Sequence, residues 1–177
     1  MLARRDFFRL GARKAARAAS RATVEDARRR VGSWIRPPFA GREPEFLTRC
    51  TKCDKCIDAC PHRVLFALPV RFGPRIAGTP AMDLRNRGCH LCRDWPCVSA
   101  CEPGALALPA QADGAPPAPP KLAIARIDPT ACLPYLGPEC GACAHACPVS
   151  GALEWADGIR PVIDQDLCTG CALCREA

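Results

Sequence analysis

Hydrophobic positions in this chain come in short, scattered groups, and the longest regular pattern lies at its start. Over residues 2–31 Ala and Arg dominate, both strong helix formers, and arginines at 5, 9, 13, 17 and 21 form a slowly drifting stripe. The pattern predicts one basic helix. Trp34-Ile-Arg-Pro-Pro-Phe39 cannot continue it, because paired prolines remove backbone donors and bias the chain towards an extended form. That segment reads as a connector. Val64-Leu-Phe-Ala-Leu68 is an apolar run the length of a strand or a single helical turn. Pro109 to Pro120 carries five prolines among Ala, Gly, Asp and Gln, which predicts a semi-rigid linker. After it, Ile127-Asp128 stands five residues before Cys132 and Ile163-Asp164 five residues before Cys168, so two extended segments of one design each introduce a cysteine motif. Similar tails, Gly104-Ala-Leu106 and Gly151-Ala-Leu153, follow the second and third motifs. The organisation expected is a basic helical arm over 1–32, one half over 33–108, a linker over 109–121 and a second half over 122–177.

Composition changes what must hold such a chain together. Among 177 residues there are one Tyr, six Phe and three Trp, too few large apolar side chains to specify a fold by burial alone, but fifteen cysteines. Their number is odd and they crowd at C-x2-C and C-x3-C spacings, which favours shared metal over scattered disulfides. Structural zinc wants two separated pairs; here three or four cysteines fall in each run.

The first run, Cys50, Cys53, Cys56 and Cys60-Pro61, is C-x2-C-x2-C-x3-C-P, the pattern by which bacterial ferredoxins hold cubane iron–sulfur clusters. Its fourth cysteine serves the neighbouring cluster in two-cluster ferredoxins, so a partner motif is expected. The second run, Cys89, Cys92, Cys97 and Cys101, has a longer middle loop and resembles that of the four-cluster electron-transfer subunits of molybdoenzymes such as dimethyl sulfoxide reductase. Cys101 is the expected reciprocal of Cys60, with pairing to the fourth run as the alternative. His90 is expected to be a polar neighbour rather than a ligand, because four cysteines already complete the set. Trp95 is expected to cover the site from water. The third run is Cys132, Cys140, Cys143 and Cys147-Pro148, with a widened first gap. The fourth is Cys168, Cys171 and Cys174, after which the sequence ends at Ala177. If the last two runs exchange ligands, Cys147 completes the fourth set and the set of Cys132, Cys140 and Cys143 lacks one ligand. A truncated reading frame and a deliberately labile iron position both explain this. Three or four [4Fe-4S] clusters are therefore expected on these fifteen cysteines, in an α+β fold of tandem ferredoxin-like units whose folding depends on cluster insertion.

Charge divides the chain. The formal net charge is +7, and residues 1–30 alone account for it, while residues 31–177 sum to zero. Fifteen thiolates against four cluster cores of roughly two positive charges each would leave the cysteine region roughly seven units negative. A basic arm then precedes an acidic redox body, and the arm suits a docking helix or an electrostatic tether; nucleic acid is not expected, for want of a motif or an aromatic platform. Arg4-Arg5-Asp6-Phe7-Phe8 resembles a twin-arginine export start, yet charge interrupts Gly11 to Ser20 every few residues where an apolar core should be. No window reaches transmembrane length without charges, and a cytoplasmic location is expected. No Walker-type loop, dinucleotide fingerprint or C-x3-C-x2-C triple appears, so an enzyme is not expected.

These residues together resemble the ferredoxin-type NapF family associated with periplasmic nitrate reductase. The likeness rests on Arg4-Arg5, Ile35-Arg-Pro-Pro-Phe39, Phe46-Leu-Thr-Arg-Cys-Thr-Lys-Cys53, the widened segment from Ala131-Cys-Leu-Pro-Tyr135 to Cys147, and Leu167-Cys-Thr-Gly-Cys171. The second motif and Gly104-Ala-Leu106 are closer to the related NapG and MauM proteins. The resemblance implies a cytoplasmic protein with four [4Fe-4S] clusters that assists maturation or electron supply of the molybdenum-containing catalytic subunit before its export. The alternative it implies is an electron-transfer subunit linking a donor to a reductase.

Overall fold

Among the described residues the longest helix has seven residues, in keeping with a chain so poor in large apolar side chains. The computed structural model describes residues 34–110 and 116–177. The basic helix expected over 1–32 and the middle of the expected linker lie outside the described residues. Helix α1, Glu43–Arg49, begins with Pro44 in its first turn between two glutamates and ends on Arg49, an arrangement that suits both the missing proline donor and the helix dipole. It buries Phe46, which is 1% exposed.

Among the described residues four further α-helices are single turns, α2 (Lys55–Asp58), α3 (Pro96–Ser99), α4 (Leu133–Leu136) and α5 (Leu173–Glu176), and Val70–Phe72 forms a 3-10 turn. The apolar run behind the first motif forms strand β1, Leu65–Ala67, paired antiparallel with β2, Pro80–Met82, with Leu65 opposite Met82. In the second half β3, Leu153–Ala156, pairs with β4, Arg160–Ile163, with Leu153 opposite Ile163. In the three-residue loop between them Asp157 (φ 53°) and Gly158 (φ 75°) are left-handed, and Ile159 N–H donates to the Ala156 carbonyl at 3.1 Å.

The segment Trp34–Phe39 is more than a connector. Ile35 exchanges both main-chain hydrogen bonds with Met82, at 2.8 and 2.7 Å, adding a third short line to the first sheet. Arg36 lies between the rings of Trp34 and Phe46, 4.4 and 4.5 Å from their centroids. Its guanidinium donates to both carboxylate oxygens of Glu43 at 2.9 and 2.6 Å, to the Thr79 hydroxyl at 2.7 Å and to the Pro80 carbonyl at 2.9 Å. One planar cation thus ties the entry segment, α1 and β2 together, a task that suits the fixed fork of arginine.

Residues 34–177 form one compact unit. Its core gathers Phe46, Val64, Leu65, Met82, Leu84, Trp95, Val98 and Leu106 with Cys56 and Cys97, and Leu122, Ala123 and Ala172 of the later chain pack against it. Leu122 N–H donates to the Thr169 carbonyl at 2.7 Å, which lays the chain after the expected linker along the fourth cysteine motif.

Candidate metal centre

The cysteine loops share a backbone signature. In three motifs the residue before the second cysteine and the residue two before the third have positive φ: Lys52 and Asp54 (58° and 60°), Leu91 and Trp95 (49° and 45°), Gly170 and Ala172 (69° and 68°). Five of these six are not glycine, so each strains the backbone by about 1–2 kcal/mol. Left-handed residues in turns orient successive N–H groups to one side and form the anion-binding nests found at iron–sulfur sites. The run Cys132–Cys143 does not share the signature: Glu139 and Gly141, at the matching places, have no positive φ.

The loops bring the cysteines together across motifs. Cys50, Cys53 and Cys56 line one cavity with Cys101, beside Phe46 and Leu106. Cys89, Cys92 and Cys97 line a second with Cys60, beside His62, His90 and Trp95. Cys168, Cys171 and Cys174 line a third with Cys147, beside Thr169 and Ala152. The three cavities are of similar size, about 20 Å³ each, so each set of four surrounds a comparable space. Among the described residues no three Cys, His, Asp or Glu side chains converge tightly enough for a single metal ion. Four cysteines around each cavity are the ligand number that a [4Fe-4S] cluster takes. Cys132, Cys140 and Cys143 form a fourth group: burial raises the Cys143 thiol, the sulfurs of Cys132 and Cys140 add to it, and Cys140 opens onto a wide cleft with Glu139, Trp155 and Ile159.

The donor set suits such a cluster. Main-chain N–H groups reach ligand sulfurs at three places: Val64 to Cys60 at 3.5 Å, Leu106 to Cys101 at 3.3 Å and Gly170 to Cys168 at 3.4 Å. Thr169 is 7% exposed and lines the third cavity, so its buried hydroxyl is available to the sulfurs there. Burial pushes the Cys56 and Cys97 thiols up to about 12, with neighbouring cysteine sulfurs adding to it. Burial likewise raises Cys89 to about 11, against the Leu91 N–H. Burial also raises Cys171, which the Leu173 N–H and the Thr169 hydroxyl oppose. Crowded, desolvated sulfurs are unfavourable as free thiolates and call for a cation to share.

His90 stacks flat on His62, centroids 3.5 Å apart and rings 5° from parallel. Burial first, and then the charge of His62, hold His90 below its ordinary value. Trp95, 4% exposed, meets Phe39 edge-on at 4.7 Å and walls the second cavity. All fifteen cysteines are free of disulfides, and only Cys53 and Cys140 are exposed. Spacing did not reveal the Arg36 fork or the buried Thr169 hydroxyl. The β3–β4 hairpin did leave a signal, the Asp157-Gly158 pair between apolar positions.

Comparison with known proteins supports 4Fe-4S binding. Two family models, both described as a 4Fe-4S binding domain, match residues 46–66 and 129–150. The methylamine utilization ferredoxin-type protein MauM of Methylophilus methylotrophus is 33% identical over 98% of this chain and 78% of its own length. The ferredoxin-type protein NapG of Haemophilus influenzae is 34% identical over 84% of this chain and 56% of its own. The ferredoxin-type protein NapF of Escherichia coli is 33% identical over 82% and 80%. The chain thus spans between 56% and 80% of the length of these relatives. No solved structure matches.

Proposed function

Because the chain belongs to the ferredoxin-type proteins that include MauM, NapG and NapF, we propose that it is an electron carrier for a larger oxidoreductase system and not itself an enzyme. The observation that carries this is the grouping of twelve cysteines into three cavities, each lined by three sulfurs of one motif and one of its neighbour. Bound there, [4Fe-4S] clusters would each accept and return one electron with little reorganisation.

The remaining work falls to the chain. Cys50, Cys53, Cys56 and Cys101 would hold the first cluster, Cys60, Cys89, Cys92 and Cys97 the second, and Cys147, Cys168, Cys171 and Cys174 the third. Cys132, Cys140 and Cys143 would contribute to a fourth. Phe46, Leu106, Trp95 and Ala152 keep water from the sulfurs, while the Val64, Leu106 and Gly170 amides donate to them and so favour the reduced, more negative state.

Relatives named for methylamine utilization and those named NapG and NapF match at 31–35% identity, which supports a shared carrier role over a commitment to one client. A second reading is favoured by the +7 charge of residues 1–30: an accessory that docks on the catalytic subunit of a molybdenum-dependent nitrate reductase in the cytoplasm and assists its maturation. Anaerobic purification followed by iron and sulfide counts, a visible spectrum and dithionite reduction tests the carrier. A brown protein that bleaches reversibly and is reoxidised by its client supports it, and a colourless zinc protein ends it. Clusters present without electron exchange, together with client capture that requires residues 1–31, would select the accessory role.

A further inference from the structure

We propose that Gly88 is a positioning residue for electron exchange between the two halves: its missing side chain lets the start of the second motif lie directly on the backbone of the fourth, so that Cys89 and Cys171 meet through one peptide hydrogen bond. This rests on the carrier reading above.

The observation is a close approach of unusual kind. A Cβ on Gly88 would fall 2.8 Å from the Leu173 nitrogen, 2.9 Å from a Leu173 methyl and 3.0 Å from the Ala172 carbonyl carbon. Two of those atoms are main chain and cannot swing aside. Gly88 has no positive φ, so backbone conformation does not demand glycine there. The close packing does.

Around it the contact is fastened on both sides. Cys89 N–H donates to the Cys171 carbonyl at 2.8 Å. Gly88 N–H donates to Glu176 Oε2 at 2.7 Å, and the Arg175 guanidinium donates to the Arg85 carbonyl. Cys89 belongs to the cavity it shares with Cys60, and Cys171 to the one it shares with Cys147. The two cavities that meet here come from different halves of the chain, and the hydrogen bond runs from a ligand residue of one to a ligand residue of the other. Within each half neighbouring sets are joined by the cysteine that crosses over: Cys60 and Cys101 link the first two sets, and Cys147 of the third motif lines the cavity of the fourth. The order is therefore a line: Cys50 set, Cys89 set, Cys168 set, Cys132 set. Its two ends hold the exposed cysteines, Cys53 and Cys140. An electron passing along the line must cross at Cys89–Cys171, where it leaves one centre and arrives at the other with no bond or proton displaced.

The test uses the full-length holoprotein and two variants. Gly88→Ala forces the strands apart by steric contact; Glu176→Ala removes an acceptor from an exposed helix end and spares the fold. In the fully reduced wild type, low-temperature EPR should show magnetic interaction between centres of the two halves, and hydrogen exchange should find residues 85–89 protected. Gly88→Ala should lose that interaction while iron and sulfide per chain stay at the wild-type values. Glu176→Ala should weaken both the interaction and the protection. Gly88→Ala with full iron and an unchanged interaction overturns the proposal. Should Gly88→Ala fail to retain iron, Glu176→Ala decides: unchanged exchange at 85–89 and an unchanged spectrum overturn it. A wild type without reducible iron would instead defeat the carrier reading, so the two failures are distinguishable.

Discussion

Cys60 and Cys101 trade places: each closes the first half of the chain by lining the cavity that the other's motif builds. A motif that reads as four consecutive cysteines is in space three that line one cavity and one that lines the next. Replacing Cys60 with Ser should therefore damage the centre of Cys89, Cys92 and Cys97 and spare that of Cys50, Cys53 and Cys56. In EPR of the reduced protein, Cys60→Ser and Cys89→Ser should lose the same component, and Cys101→Ser should share its loss with Cys50→Ser. Loss of a common component in Cys60→Ser and Cys50→Ser would show that the motif keeps its own fourth ligand.

Thr169 offers a buried hydroxyl to the third cavity. A donor to sulfur stabilises the more negative reduced state, so Thr169→Val should lower the reduction potential of one centre and leave the others in place. A hydrogen bond of about 0.5–1.5 kcal/mol corresponds to about 20–65 mV for one electron. A potentiometric titration followed by EPR reads the shift, and an unmoved potential would remove the hydroxyl from the redox site.

Arg36 joins Glu43, Thr79 and Pro80 while lying between two aromatic rings. Arg36→Lys keeps the charge but loses the bidentate pair and the flat stacking surface. It should destabilise the holoprotein by about 2 kcal/mol, seen as a lower midpoint in denaturant. An unchanged midpoint would mean that charge alone suffices there.

Removing iron with a chelator should collapse most of the regular structure of the described residues, where only one helix exceeds a single turn and each sheet has two strands. Far-UV circular dichroism measures this, and an unchanged spectrum would refute it. Reloading has a pH sense. Burial pushes the thiols of Cys56 and Cys97 up to about 12 and Cys89 to about 11, so at neutral pH the metal-free chain keeps these protons and releases them on binding. Reconstitution should strengthen from mildly acidic to mildly alkaline buffer. Without metal the same groups act oppositely: above the ordinary thiol value near 9 the unfolded chain ionises first, and stability of the folded form falls as pH rises through that window.

Much of the site was legible because cluster chemistry constrains spacing. The motif at Cys50–Pro61 fixes which residues converge, and the apolar run at Val64–Leu68 does become a strand behind it. The partner strand at Pro80–Met82 was not readable, since three residues with a proline carry no periodicity. Arg36 looked like part of a proline-bound connector because its role depends on Glu43 and Thr79, which reach it only through the fold. The left-handed positions escaped for a related reason: Lys52, Leu91 and Trp95 are poor candidates for positive φ on intrinsic grounds, and only the surroundings hold them there.

Those same positions make the fragility of the iron-free chain a matter of residue choice. Gly170 already occupies, at no steric cost, the place that Lys52 and Leu91 fill under strain in the other loops. A protein engineer seeking an apo-form that survives longer between synthesis and metallation would begin by writing glycine at residues 52 and 91. Each exchange stands to recover about 1 kcal/mol without touching a ligand.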